Sequence, residues 1–175
     1  MGDTGQVDTT TVKEWLVAGA VIEGPQGLLL VRNRRRNGKS DWTPPGGVIE
    51  ASERGDVREG LAREVIEETG LRVTAWGPML YEVEAEAPGL GWIMRAQVWL
   101  AETCEGDLSV GNDPDGIVTD AEYVPLHRCG EHLSTTHDWV REPLVEWLDG
   151  RFAHQPIYRY RLEDTPPGRG RIVRL

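Results

Sequence analysis

Residues 63–71 read Arg63-Glu64-Val65-Ile66-Glu67-Glu68-Thr69-Gly70-Leu71. As a helix, this stretch puts Glu64 three residues from Glu67 and four from Glu68, so three carboxylates share one face. Leu61, Ala62, Val65 and Ile66 occupy the neighbouring and opposite sides and supply an apolar surface for a core. Asp56 suits the N-cap, Glu59 would complete a capping box, and Gly70 suits the C-terminal stop; together they predict a helix running to about Thr69. Gly60, one turn before Glu64, leaves room on the acidic face. Carboxylates about 5 Å apart repel by roughly 3 kcal/mol per pair at an effective dielectric near 20. Such a face is stable when fully solvated or when cations hold it together, and all-oxygen donors select hard ions such as Mg²⁺ or Mn²⁺. Three glutamates by themselves leave both readings open.

What precedes the helix favours the cation. Gly46-Gly47-Val48-Ile49-Glu50-Ala51-Ser52-Glu53 sets a diglycine turn just upstream, where a bare backbone carbonyl can join a metal site. Trp42-Thr43-Pro44-Pro45 in front of it is rigid, and the glycines then let the backbone turn sharply and approach something closely. Further out, Val12 to Glu23 is mostly apolar and predicts a strand buried on both faces, followed by a turn at 24–27 and a returning strand over Leu28 to Arg32. Asn33 to Lys39 is a basic loop containing Arg34, Arg35 and Arg36. Strands are predicted at about 71–75, 79–86, 92–101 and 116–124. A helix is predicted over 138–148 with Val140, Leu144, Val145 and Leu148 on one stripe, starting late or kinking at Pro143. The tail alternates at Ile157 to Leu162 and then passes through Pro166-Pro167-Gly168 into a basic end.

Gly47, Glu53, Arg63, Glu64, Val65, Glu67, Glu68, Gly70 and Leu71 resemble the Nudix box, G-x5-E-x7-R-E-U-x-E-E-x-G-U with U aliphatic, the motif of the Nudix (MutT/Nudix) hydrolases. Gly47 to Glu53 has the family spacing, and every fixed position from Arg63 onward matches. Between Glu53 and Arg63 stand nine residues instead of the family's seven. Strict spacing would put Gly55 at the glutamate position; retaining residue type puts two extra residues around Arg54-Gly55, in the loop before the Asp56 cap. The second reading leaves the carboxylate helix intact and is preferred.

The resemblance implies an α/β fold, the Nudix α/β/α sandwich with a mixed β-sheet, and hydrolysis of a nucleoside diphosphate linked to another group. It implies that Glu64, Glu67 and Glu68, with the Gly46 carbonyl, ligate Mg²⁺ or Mn²⁺, that Glu64 or else Glu67 acts as general base, and that Gly47, Glu53, Arg63 and Gly70 are structural, Glu53 pairing with Arg63. Some relatives carry a further acidic ligand or base in a later loop, which here corresponds to Asp113 or Asp115 in Asn112-Asp113-Pro114-Asp115-Gly116. That segment also suits an ordinary turn. Arg32 and Arg34 are candidates for the substrate's phosphates, since arginine recognises phosphate bidentately. Trp42, just before the diglycine turn, is the candidate for stacking on a base or shaping the mouth of the site, whereas Trp15, Trp92 and Trp99 on predicted strands belong to the core. The (d)NTP and ADP-ribose-like substrate classes both remain open; Pro88 stands near, but not at, the place where ADP-ribose pyrophosphatases of the family often carry a proline. A non-catalytic nucleotide sensor on the same fold is the competing reading. It is disfavoured because such proteins usually have eroded box carboxylates. An isoprenyl diphosphate isomerase would need a cysteine acid, and neither Cys104 nor Cys129 lies near the box.

Composition bounds these expectations. The 175 residues carry 19 Lys+Arg against 29 Asp+Glu, a formal charge of −10, which opposes bulk binding to nucleic acid or anionic membrane. The longest apolar run, Trp15 to Ile22, is far shorter than the roughly 18 residues of a membrane span, and the polar Met1-Gly2-Asp3-Thr4-Gly5 does not read as a signal peptide. The expected organisation is a disordered segment over 1–10, one hydrolase domain over 11–150, and an extension over 151–175 that adds a strand or a dimer contact. A cytoplasmic protein with reduced cysteines, a small nucleotide as substrate, and a homodimer as the family's usual state complete the expectation.

Overall fold

The apolar run after Val12 becomes β1 (Lys13–Gly24), which turns into β2 (Gly27–Arg34). In this computed structural model, residues 12–163 and 170–175 are described; the 1–10 segment and Pro166-Pro167-Gly168 lie outside them. Side chains alternate across a strand, and β1 uses both faces. Ala18, Ala20 and Ile22 join one core, while Val21 joins the other. In β2, Leu29 faces the first core and Leu28 and Leu30 the second. A strand with apolar residues on both sides must lie between two layers.

The layers are helical. Helix α1 (Val57–Thr69) covers one face with Leu61 and Val65, both fully buried. Helix α3 (Asp138–Gly150) and the one-turn α2 (Cys129–His132) cover the other, where Leu144 and Trp147 pack. Between them runs a mixed sheet in the order β3-β2-β1-β6-β5-β8-β9, with β4 paired to β1 and β7 to β2. The remaining strands are β3 (Ser40–Thr43), β4 (Gly46–Val48), β5 (Arg72–Ala87), β6 (Trp92–Glu105), β7 (Val118–Val124), β8 (Ile157–Glu163) and β9 (Arg171–Arg174). β1 is parallel to β6 and β5 to β8; the other pairs are antiparallel. The fold class is the expected helix/sheet/helix arrangement with a mixed, curled sheet.

Several local expectations change. The strands expected at 71–75 and 79–86 are one strand, β5, whose register against β6 shifts repeatedly between Val73 and Tyr81. Bulges let the chain pass the Gly77-Pro78 break without leaving the sheet. Asp56 caps α1 by accepting from the Arg58 N–H at 3.1 Å. The capping box through Glu59 does not form, because the Asp56 N–H donates to the Glu53 carbonyl instead. Helix α3 begins at Asp138 and runs through Pro143. An interior proline costs about 3 kcal/mol, and burying Leu144 and Trp147 on the same helix returns roughly 1.5–3 kcal/mol each. Trp15 and Trp92 are half-buried and lie tilted on each other with centroids 5.8 Å apart, and Trp92 packs against the second core.

The residues after Gly150 belong to the same sheet. β8 pairs with β5, places Tyr158 and Tyr160 in the second core, and ties its outer side through Arg159–Glu84 and Arg161–Glu86. β9 is short and ends in Arg171 and Arg174, charges that discourage further strand addition. Among the described residues, no helix is long and apolar enough to cross a membrane. Cys104 and Cys129 are free thiols.

Candidate active site

The acidic face of α1 is held from three directions. Its C-terminus stops at Gly70, whose φ of 72° is left-handed and whose N–H donates to the Ile66 carbonyl, as glycine permits. The long β6–β7 connection docks there through Ser109 N–H to the Thr69 carbonyl at 2.8 Å. That contact brings the 112–116 segment to the carboxylates: Asp115 lies close enough to disfavour ionisation of Glu64, and Asp113 does the same to Glu68.

From the N-terminal side comes Glu53. Its carboxylate accepts from Arg63 Nε and Nη2 at 2.8 and 3.1 Å, and from the Glu50 N–H at 2.9 Å. The Arg63 guanidinium holds Glu53 below the usual carboxylate range, with the Glu50 N–H adding to it. Glu53 meets Arg63 across the two extra residues, which lie in the turn at Arg54-Gly55, and Gly55 faces open space. Gly60 makes the room expected of it, since a Cβ there would lie 2.6 Å from Glu53 Oε2. Arg63 also reaches Glu64 Oε1 at 2.9 Å and Glu67 Oε2 at 3.0 Å through Nη1. Glu53→Gln is therefore expected to lower stability by about 1.5–3 kcal/mol, the scale of a hydrogen bond to a charged group, as measured by urea unfolding.

The third direction is the diglycine turn. The Gly46 N–H donates to Glu68 Oε2 at 2.9 Å. Gly46 has φ of 148° and its missing Cβ would lie 2.1 Å from the Ala18 carbonyl oxygen; at Gly47 a Cβ would lie 2.5 Å from Glu64 Oε2. The two glycines thus serve different ends. Gly46→Ala meets rigid backbone and is expected to destabilise the fold by about 1–3 kcal/mol. Gly47→Ala meets only the end of the Glu64 side chain. It is expected to leave the melting temperature nearly unchanged while displacing the Glu64 carboxylate, read as a change in its carboxyl NMR shift.

Glu68 is the unusual carboxylate. It is 8% exposed, and its pKa is pushed up to about 8 by burial, reinforced by Glu64, Asp113 and Glu67 and opposed by the Gly46 N–H. Burial raises Glu64 as well, against the pull of Arg63. A divalent cation is the group this donor set implies. As the side chains stand, no three Asp, Glu, His or Cys groups among the described residues are gathered into a ready cage, because Glu64 and Glu67 are turned to Arg63. The residues nevertheless fit a hard ion: the donors are all oxygen, the buried carboxyl of Glu68 has no cationic partner among the described residues, and the bare Gly47 keeps space against Glu64.

The 112–116 turn distinguishes its two aspartates. Asp113 accepts from the N–H groups of Asp115, Ile117 and Val118 at 3.0, 2.7 and 2.9 Å, so it shapes the turn. Asp115 is exposed and makes no side-chain hydrogen bond to a described residue.

Beside Gly46 and Gly47 opens a cleft of about 300 Å³. Arg32 and Trp42 do not line it; they line a separate shallow depression with His132, whose ring meets Trp42 edge-on at 5.5 Å. Arg34 is exposed at the end of β2. The cleft instead takes Asn33, Arg35, Thr136, His137 and Trp139. Arg35 stood in the basic run; Thr136, His137 and Trp139 carried no local signal, because the start of α3 reaches the diglycine turn only through packing.

A family model described as the NUDIX domain matches residues 13–148. A MutT-like protein from Streptomyces ambofaciens is 49% identical over 57 residues, 33% of this chain and 34% of that protein, so the chain spans about a third of the length of that curated relative. Among solved structures, the MutT protein from Methanosarcina mazei Go1 is similar with a TM-score of 0.65 and 23% identity, over 82% of this chain and 98% of that one. The MutT NUDIX hydrolase from Burkholderia pseudomallei is similar with a TM-score of 0.56 and 25% identity, over 66% and 85%. Because the family match runs from the start of β1 almost to the end of α3 and takes in every element that positions the glutamate face, the chain belongs to the NUDIX domain family.

Proposed function

We propose that the protein is a divalent-metal-dependent hydrolase that cleaves the pyrophosphate bond of a nucleoside diphosphate linked to another group, a (d)NTP or an ADP-ribose-like compound. The observation that carries this reading is Glu68, a buried carboxylate with Glu64 and Glu67 on the same helix face and, among the described residues, no cationic side chain paired with it. A structural role does not require that cost; a bound Mg²⁺ or Mn²⁺ removes it. Glu64, Glu67 and Glu68 with the Gly46 carbonyl would hold the ion, which supplies charge neutralisation to the diphosphate and acidifies a bound water.

The chain's own groups do the rest. Glu64 accepts the proton of the attacking water as the new P–O bond forms and the bridging P–O bond breaks, the leaving phosphate carrying away the electron pair. Glu67 is the alternative base, and Asp115 on the β6–β7 connection is a further group able to take that proton. Arg63, tied to Glu53, keeps Glu64 and Glu67 on one side of the helix and limits their freedom, so less ordering remains at the moment of reaction. The corresponding setting is a cytoplasmic enzyme working as a homodimer.

The test is a phosphate- and nucleotide-release screen over nucleoside di- and triphosphates and nucleotide sugars, with Mg²⁺, with Mn²⁺ and with chelator. Turnover of at least one compound that stops with chelator is expected. Tight nucleotide binding without turnover of any compound, in either metal, would instead identify a sensor.

A further inference from the structure

Arg32 and Trp42 are cross-strand partners on β2 and β3, and with Arg128, Ser40, Ser134 and Thr135 they line a depression of about 410 Å³. We propose that this depression is a second ligand site, for a phosphate monoester carried on a planar ring, the chemistry of a nucleoside monophosphate. Arg32 and Arg128 take the phosphate, and Trp42 takes the ring. The inference goes beyond the hydrolase reading and does not depend on it, since none of these residues lines the cleft beside the diglycine turn.

Charge singles the depression out. The chain carries a formal charge of −10, and elsewhere its arginines are tied to its own carboxylates, as Arg63 is to Glu53, Arg72 to Glu105, Arg151 to Glu23 and Arg159 to Glu84. Arg32 differs. Its strand neighbours are Trp42 and Asp120, and the Asp120 carboxylate accepts from the Ala121 N–H at 2.9 Å; among the described residues Arg32 forms no ion pair. Glu131, the one carboxylate lining the depression, meets Arg128 only at 3.6 Å, beyond hydrogen-bond distance, so the Arg128 fork stays open to a better acceptor. Asp41 next door is saturated: Arg35 donates to it through Nε and Nη2 at 2.7 and 2.8 Å, and Asn33 through Nδ2 at 3.2 Å. Guanidinium forks match phosphate oxygens bidentately. Lys39 adds a third cation through a neighbouring depression that shares Ser40 and Thr135.

The indole is already ordered. Trp42 packs against the second core, and the His132 ring meets it edge-on with centroids 5.5 Å apart. His132 is held in turn, its Nε2 2.8 Å from Glu122 Oε1 and its Nδ1 3.3 Å from the Arg128 carbonyl oxygen. Trp42 nevertheless remains half-buried. A ring fixed by its surroundings loses little freedom when a second ring stacks on it, and such stacking tolerates any planar heterocycle. The Ser40, Ser134 and Thr135 hydroxyls supply donors for the remaining phosphate oxygens. A space of about 410 Å³ with two guanidiniums suits one phosphate and one ring system. A long polyanion, by contrast, meets the repulsion of an acidic chain on either side.

The test titrates adenosine 5′-monophosphate, adenosine and inorganic phosphate into wild type, Arg32→Gln, Arg128→Gln and Trp42→Phe, in chelator, following the Trp42 indole N–H and the backbone amides by NMR. The monophosphate is expected to bind in the millimolar range or tighter, more tightly than adenosine or phosphate, and to shift the Trp42 indole N–H together with the amides of Arg32, Arg128 and Ser134. Each arginine variant should weaken that binding roughly ten-fold at an unchanged melting temperature, Trp42→Phe should retain part of it, and added salt should weaken it in wild type. Binding that is unchanged in both arginine variants, or shifts confined to Thr136, His137 and Trp139, overturns the inference. Phosphate bound as tightly as the monophosphate overturns the role of Trp42 and with it the ligand class. A short single-stranded RNA bound far more tightly, with shifts spreading to Arg34 and Arg36, overturns the small-ligand site in favour of a nucleic-acid surface. Each of these results leaves the hydrolase reading standing, because turnover at the glutamate face is measured separately.

Discussion

Glu64→Gln and Glu68→Gln are each expected to lower kcat on a cleaved nucleotide by on the order of 10²–10³-fold, the scale on which one preorganised electrostatic group contributes. Both substitutions keep the shape of the side chain and remove its charge. At position 68, glutamine can still accept from the Gly46 N–H, now 2.9 Å from Oε2, so the turn and the fold should persist and circular dichroism should be unchanged. The two variants should differ in pH dependence. If Glu64 takes the proton from water, Glu64→Gln recovers part of its rate at high pH, where hydroxide replaces the deprotonated water, whereas Glu68→Gln does not. Glu67, more exposed and tied to Arg63, should cost less when replaced. Undiminished turnover in both the Glu64 and the Glu68 variant would remove the acidic face of α1 from the mechanism.

In the absence of divalent cations, stability should fall as pH rises from about 4.5 to about 8, and Glu68→Gln should flatten that slope. Glu68 is raised from its ordinary value near 4.5 to about 8 in the folded protein. Over that interval the unfolded chain has already lost the proton that the folded chain keeps, so each further pH unit disfavours folding by up to about 1.4 kcal/mol. The contribution is fully present below about 4.5 and lost as the pH passes 8. Its total is roughly 3–5 kcal/mol, an upper range because local opening and water entry soften the penalty. At pH 8 without metal, Glu68→Gln should therefore unfold at higher urea than wild type, and at pH 4.5 the two should coincide. Mg²⁺ should narrow the pH 8 difference by stabilising the wild type, by about 2.7 kcal/mol at a hundred times its Kd. Glu53 works in the opposite sense: its lowered pKa adds stability above the ordinary carboxylate range that is lost on acidification. A wild type without a downward slope between pH 5 and 8 in chelator would show that Glu68 is not held as a strained, buried acid.

Local chemistry was legible wherever a residue's role depends on near neighbours in the chain. Asp56 and Gly70 bound α1, the apolar run of β1 serves two cores, and Glu53 finds Arg63 across an insertion confined to a turn. The Glu59 capping box failed because the Glu53 carbonyl competes for the Asp56 N–H, a contact created by that same inserted turn. Pro143 did not delay α3, since the cost of one missing donor is smaller than the gain from seating Leu144 and Trp147.

From its residues alone this chain specified the acidic helix face and the bare turn before it, because caps, periodicity and side-chain size act over a few residues; the sandwich that holds them was implied by the resemblance to the Nudix box. Tertiary packing decided which face of the sheet each end of the chain would reach. It brought Thr136, His137 and Trp139 to the diglycine turn while turning Trp42 and Arg32 elsewhere, and it folded β8 into the core. It also set Glu68 apart from its two neighbours on the helix, since burial is a property of what surrounds a carboxylate and not of the carboxylate's place in the sequence.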